Sequence, residues 1–379
     1  MGNENGLRPD LEELLCYAAL INNPAETGGL DPASAITAGS PSANEKLAKL
    51  DYHGISLLAL ENGTLESEVI DLLGQRKQMM IANEALKRVA LVELFEAFRA
   101  AGLSRNVLFK GTALAYSLYS KPWLRPRTDS DCLVDFHELD AYQAVFDQLG
   151  YQKLFAIEGR QVSYQSTFSK ALAGQSVINI DVHWRISNRQ ILANSFSLEQ
   201  LHSSGVTLDQ LSDSITIPNA VDSLLIACLH RLGHHHREER LAWLYDIHGL
   251  ASDFDTDDWQ VLLDKTASKL LSAVTLDALK ICQTVLATHL PEDVISKLRL
   301  QATSKEPSQV FLKREMPEWK YFWYELRALP SIADQCNLVF ENVFPRPSYI
   351  RRQMQTRNAA WGYLKRVWRG LKRVTKAGS

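Results

Sequence analysis

Two acids set one residue apart, Asp129 and Asp131, close the run "LFKGTALAYSLYSKPWLRPRTDSDCLVDF" (residues 108–136) that opens on Lys110-Gly111-Thr112. Carboxylates about 4 Å apart repel by roughly 4 kcal/mol at an effective dielectric near 20, so a fold that pairs them calls for a cation. If "DSDCLVDF" is a strand, residues i and i+2 share one face with their Cα atoms roughly 6.6 Å apart, a spacing that can flank a divalent ion. Asp181, in the alternating run "INIDVHW", offers a third carboxylate from a later strand. Phosphoryl transfer uses such sets: metal ions roughly 3.5–4 Å apart clamp the attacking and leaving oxygens.

The upstream triplet supplies a place for phosphate. Gly111 at a strand-to-helix junction lets the backbone approach an anion, the helix start offers free N–H donors, and the Thr112 hydroxyl is expected on a phosphate oxygen. Lys110 either contacts phosphate or ends its strand in solvent. Arg125 and Arg127 are expected to neutralise phosphate charge through bidentate contacts. Alternation sends His183 to the face of Asp181, as a structural histidine or as a group approaching the site, and sends Trp184 to the core. His230 and His234 have i, i+4 spacing on a helix, yet no acid follows at matching spacing. With His235 and His236 they read as the lining of a cleft between helical and catalytic regions rather than as a metal centre. Asp246 reads as a structural acid or as a group orienting the site.

These groups need elements to hold them. "NVLF", "DSDCLVDF", "YQKLFAI", "VSYQSTFS" and "SVINIDVHWRI" have strand character, while "GTALAYSLY" and "HELDAYQAVFDQLG" have helical spacing. The expectation is an α+β core at residues 105–217. A helical N-terminal region, 1–104, precedes it and contains a long helix from Ser67 to about Ala101. A Gly/Pro/Ser/Ala-rich stretch after Asn22 reads as a loop or linker. A helical domain follows at 218–300, then a C-terminal helical region at 301–379.

Composition narrows the class. The chain has 379 residues, 46% of them hydrophobic, and a net charge of -3, which suits an ordinary folded protein and excludes a globally basic nucleic-acid binder. Five cysteines without C-x-x-C spacing argue for reduced thiols and against a zinc ribbon. The N-terminus lacks the pattern of a secretory signal, and no apolar run reaches spanning length, so the expected location is cytoplasmic. One basic region stands out. Residues 351–379 contain no acid, and Trp361, Leu364, Trp368 and Leu371 recur at helical spacing among Lys365, Arg366, Arg369, Lys372 and Arg373. Such a helix suits an anionic membrane surface or RNA, or docks on its own protein by the Trp stripe.

The order Gly111-Thr112, Asp129-x-Asp131, Asp181 resembles the nucleotidyltransferase superfamily typified by DNA polymerase beta. The segments "LFKGTALAYSLY", "LRPRTDSDCLV", "IDVHWRI" and "LHRLGHHHREERLAWLYDI" are similar to a bacterial family of uncharacterised nucleotidyltransferase-like proteins, over most of the chain. The resemblance implies a polymerase-beta-like nucleotidyltransferase core, a small mixed sheet with helices, flanked by α-helical regions. It also implies Mg-dependent transfer of a nucleoside monophosphate from an NTP, with Asp129, Asp131 and Asp181 on the metal. Ser130 and Arg127 stand where that family more often has apolar residues. The acceptor stays open among RNA, protein, a sugar and a small molecule. Two other readings remain: a non-catalytic nucleotide-binding or interaction module, and a D-x-D glycosyltransferase, which leaves the Lys-Gly-Thr unexplained.

Overall fold

The computed structural model describes residues 11–22, 42–157, 159–235, 238–303, 306–313 and 316–376; the linker expected after Asn22 lies almost wholly outside them. The fold is mixed α+β around one small sheet. Five strands, β1 (Val107–Phe109), β2 (Ser130–Leu133), β3 (Gln152–Lys153), β4 (Gln165–Ala171) and β5 (Val177–His183), lie in the order β1-β2-β5-β4-β3. β2 runs parallel to β5, and the other pairings are antiparallel. Every residue of β1 and β2 is buried. An apolar sequence such as "VLF" in β1 explains itself there, whereas "SDCL" in β2 puts a carboxylate where a core strand has aliphatics. A second sheet, β6 (Val206–Leu208) with β7 (Ser212–Ile217), was not marked as strand by the sequence pattern.

Pleating decides what each face of the sheet carries. Cys132, Ile178, Ile180 and Val182 alternate with Asp131, Asp181 and His183, and they pack against the long helix Ser67–Ala100 and the helix Leu139–Gln148. Leu91, Leu94, Phe95 and Phe98 come from the first of these helices, and Phe146 of the second stacks on Phe168 with ring centroids 4.1 Å apart. The acids therefore face the other way, toward the remaining helices.

Those helices form a second core. The segments Leu11–Ala18, Ala43–His53 and Ser56–Glu61, all N-terminal to the sheet, share one apolar cluster with Ala220–His235, Leu241–Ser252, Thr256–Lys269, Ser272–Leu286 and Glu292–Gln301. Phe109 and Leu133 of the sheet join that cluster from the acid-bearing face. The chain ends in four more helices, Glu318–Ala328, Ile332–Val343, Pro347–Gln353 and Ala359–Lys376. The last of these crosses closely at Gly362, where a Cβ would stand 2.3 Å from Ile350 Cγ2. The Tyr363 hydroxyl donates to the Pro345 carbonyl at 2.6 Å, and Arg366 donates to Gln353 and to the Asn342 carbonyl. Docking thus uses the Gly362 side, not the Trp stripe; Trp361, Leu364 and Trp368 are 55–62% exposed. The side chain of Leu371 lies outside the described residues.

Candidate active site

Register brings the acids together. In the parallel pairing of β2 with β5, Asp131 stands opposite Asp181, and on the flanking strands Phe109 stands opposite Asp131 and Thr167 opposite Asp181. Asp131, Asp181 and His183 each place a potential ligand atom within 4.8 Å of the others, all three residues being buried. Thr167 Oγ1 and Gln165 Nε2 donate to the two oxygens of Asp181 at 2.6 and 2.9 Å, fixing its plane. Asp129 lies one residue before β2, half-buried. Burial, then the neighbouring Asp131 and Asp181, push its carboxyl up to about 6: the repulsion expected from the sequence is present.

Asp131 escapes that fate through two donors. Lys110 Nζ and His183 Nε2 reach its Oδ1 at 2.7 and 2.8 Å. Burial alone would raise its carboxyl, but the Lys110 ammonium and His183 hold it well below the usual carboxylate range. His183 is itself pushed down by burial and by Lys110. An ionised Asp131 takes the Nε2–H of a neutral ring, and His183 Nδ1 is then left buried without a partner. Oδ2 of Asp131 accepts from no described residue. Two carboxylates and an imidazole, Asp131, Asp181 and His183, lie close enough together to hold a hard or borderline divalent ion, and Asp129 stands outside that group.

The triplet Lys110-Gly111-Thr112 starts the helix Lys110–Ser117 directly after β1. The left-handed conformation falls on Lys110, φ 58°, rather than on Gly111; for a residue with a Cβ this costs on the order of 1–2 kcal/mol, offset here by the ion pair with Asp131. A Cβ at Gly111 would meet only Arg127 and Arg125 atoms at 3.8 Å and beyond, so packing does not demand glycine there. Thr112 departs from expectation. It is fully buried, donates to Ser130 Oγ at 2.8 Å and accepts from Arg127 Nε at 2.9 Å, so its hydroxyl ties the helix to β2 instead of facing a phosphate.

Both arginines line the cleft that opens over the acids, and each has its guanidinium in an ion pair. Arg125 forms a fork with Asp246, Nε and Nη2 reaching its carboxylate at 2.7–3.0 Å, and the Tyr119 hydroxyl adds a third donor at 2.7 Å. Arg127 Nη2 pairs with Glu84 at 2.6 Å, and its guanidinium lies over the Tyr116 ring. Each is a buried pair joining the sheet's edge to a helix. Asp246 is accordingly a structural acid, the first of its two expected roles.

One cleft of about 490 Å³ opens over Asp129, Asp131, Lys110 and Gly111, and Tyr52, His53, His230, Arg240 and Trp243 form its opposing walls. His230 thus lines the cleft as expected; His236 and the side chains of His234 and His235 lie outside the described residues. A larger cavity, about 910 Å³, lies against Phe168, Val182 and Trp184 under Phe340 and Tyr363. Phe168, Val182 and Trp184 come from the sheet face opposite the acids, whereas Asp129 and Asp131 line the smaller cleft. Thr167, Gln165, Glu84 and Arg240 went unread in the sequence; only strand register or distant pairing exposes them.

A buried group of two acids and a histidine that could hold a divalent ion, set on a mixed sheet beside a helix start, fits a nucleotidyltransferase. The sequence profile of the family described as "Uncharacterised nucleotidyltransferase" matches residues 42–287, and the chain belongs to that family. Among solved structures, the crystal structure of JHP933 from Helicobacter pylori is 16% identical, with 64% of this chain and 98% of that chain covered at a TM-score of 0.29, an overlap too loose to equate the two folds. No curated protein matches.

Proposed function

We propose that this protein transfers a nucleoside monophosphate from an NTP to an acceptor hydroxyl or phosphate, on a polymerase-beta-like core, with Asp129, Asp131 and Asp181 holding Mg²⁺ or Mn²⁺. The observation that carries the reading is the in-register pairing of Asp131 with Asp181 on parallel strands, with Asp131 lining a cleft that also contains a helix start. An acceptor oxygen attacks the α-phosphorus in line, the bond to the bridging oxygen breaks, and pyrophosphate leaves. A bound divalent ion would neutralise the charge that grows on both oxygens. The chain's own residues orient the groups. Thr167 and Gln165 fix Asp181 beside the acceptor, Lys110 and His183 hold Asp131 ionised, and Gly111 leaves room for phosphate against the backbone. Incubation with each labelled NTP and Mg²⁺, alone and with cell fractions, tests the reading; a labelled product that requires all three acids is the expected outcome. A non-catalytic module would give bound nucleotide without product, and a D-x-D glycosyltransferase would respond to nucleotide sugars instead.

We further propose that the terminal helix rests on an anionic bilayer. Trp361, Leu364 and Trp368 are exposed along one side, and residues 351–379 carry nine Lys and Arg without an acid. Basic residues contribute about 1 kcal/mol each near such a surface. No described helix is long and apolar enough to cross a membrane, which limits this contact to the surface. RNA is the competing partner, and the cytoplasm, at the membrane periphery, is the proposed location.

A further inference from the structure

Lys110, Arg125 and Arg127 line the cleft but are paired with Asp131, Asp246 and Glu84, so a cation with fewer partners is the stronger candidate for a polyphosphate. Arg240 lines the same cleft as Asp129 and Asp131, at the start of the helix Leu241–Ser252. Its guanidinium lies 4.8 Å from the Tyr52 ring centroid and 5.3 Å from that of Trp243, which fixes the plane without using its donors. Nε is buried and has no partner. Its single described ion pair is a long one, 3.5 Å from Nη2 to the half-exposed Glu238. A guanidinium carries five N–H donors in a rigid fork, so Arg240 presents a held, largely unsatisfied anion-binding group to the same cavity as Asp129 and Asp131.

We infer that Arg240 is the polyphosphate clamp of this cleft, binding the triphosphate tail of the NTP while the reacting α-phosphate lies over the acids. The inference rests on the nucleotidyl-transfer reading above. It adds that the charge contacts come from the helical wall, not from the two arginines beside the acid pair. Departing pyrophosphate would then leave along Arg240. A phosphate-bearing acceptor offers the same chemistry, and the choice of probes separates the two.

The full-length protein and its Arg240→Ala and Arg240→Lys variants are titrated, in Mg²⁺, with a non-hydrolysable NTP, the matching NMP and inorganic tripolyphosphate. Loss of a charge-assisted fork predicts that Arg240→Ala weakens NTP and tripolyphosphate by about tenfold or more and leaves NMP affinity unchanged. Arg240→Lys is expected to fall between the two. If the alanine variant does not fold, Arg240→Met, which keeps an apolar stem over Tyr52 and Trp243, replaces it. Wild-type affinity for NTP in the variant overturns the clamp, as does an equal loss for NMP, which would place base or sugar at this wall. Weaker NMP binding with unchanged NTP affinity assigns the group to an acceptor and also overturns it. Absence of NTP binding in the unaltered protein removes the nucleotidyl-transfer reading itself.

Discussion

Replacing Asp131 by Asn keeps an oxygen that accepts but withdraws the charge that faces Lys110 and His183, and it leaves an ammonium buried without its counter-charge. Breaking such a pair costs about 3 kcal/mol, so Asp131→Asn is expected to lower thermal stability as well as abolish transfer. Asp129→Asn differs: it relieves repulsion from Asp131 and Asp181 in a half-buried group, so the variant should be inactive yet melt no lower than the parent without divalent ions. Melting curves of the two variants side by side decide this, and equal destabilisation would refute the division of labour. The acids themselves were legible because type, spacing and alternation state their chemistry. The partners of the arginines were not. Arg125 meets Asp246 across 121 residues and Arg127 meets Glu84 across 43, and no local pattern records a pairing at such range. Thr112 misled for a related reason: a hydroxyl after a glycine suits a phosphate and an interior hydrogen bond equally.

At the scale of elements, β2 was readable as a short apolar run, β5 from β-branched and aromatic alternation, and their helices from apolar spacing. The register that sets Asp131 against Asp181 was not, because it follows from β5 pairing in parallel with β2 after a helix and two strands of intervening sequence. Asp246 ties the helix Leu241–Ser252 to the segment before β2, so Asp246→Asn should cost about 3 kcal/mol through the unpaired Arg125; denaturant unfolding measures it, and a loss below the experimental error would contradict the buried-pair account. Another junction is sensitive to pH. Glu325, on the helix Glu318–Ala328, accepts the Gln190 N–H at the start of the short helix Gln190–Ala193, and burial pushes its carboxyl up to about 7 from 4.5. A raised acid stabilises the fold below its unfolded value, and that contribution is lost as pH rises through about 7. Relative to Glu325→Gln, the parent should therefore lose up to about 3 kcal/mol between pH 4.5 and 8; a pH-independent difference would show that Glu325 titrates alike in the folded and unfolded chain.

The whole molecule places a basic, aromatic terminal helix on a chain whose net charge is -3, so adsorption to an anionic bilayer must come from that helix. The full chain is expected to pellet with anionic vesicles in a salt-sensitive way, and removal of residues 356–379 should abolish this without changing nucleotide affinity. Failure of the full chain to pellet would return the helix to another partner, RNA first. The two apolar cores, one beneath the sheet and one joining helices from both sides of it in sequence, explain why the cleft walls come from segments as distant as Tyr52 and Arg240. The central claim is that the acids at the floor of that cleft perform nucleotidyl transfer. Labelled NTPs, incubated with Mg²⁺ and fractionated cell material, test it most directly. The account predicts label transferred to an acceptor with release of pyrophosphate by the parent protein, and none by Asp129→Asn, Asp131→Asn or Asp181→Asn. Undiminished transfer by any of the three folded variants would contradict it.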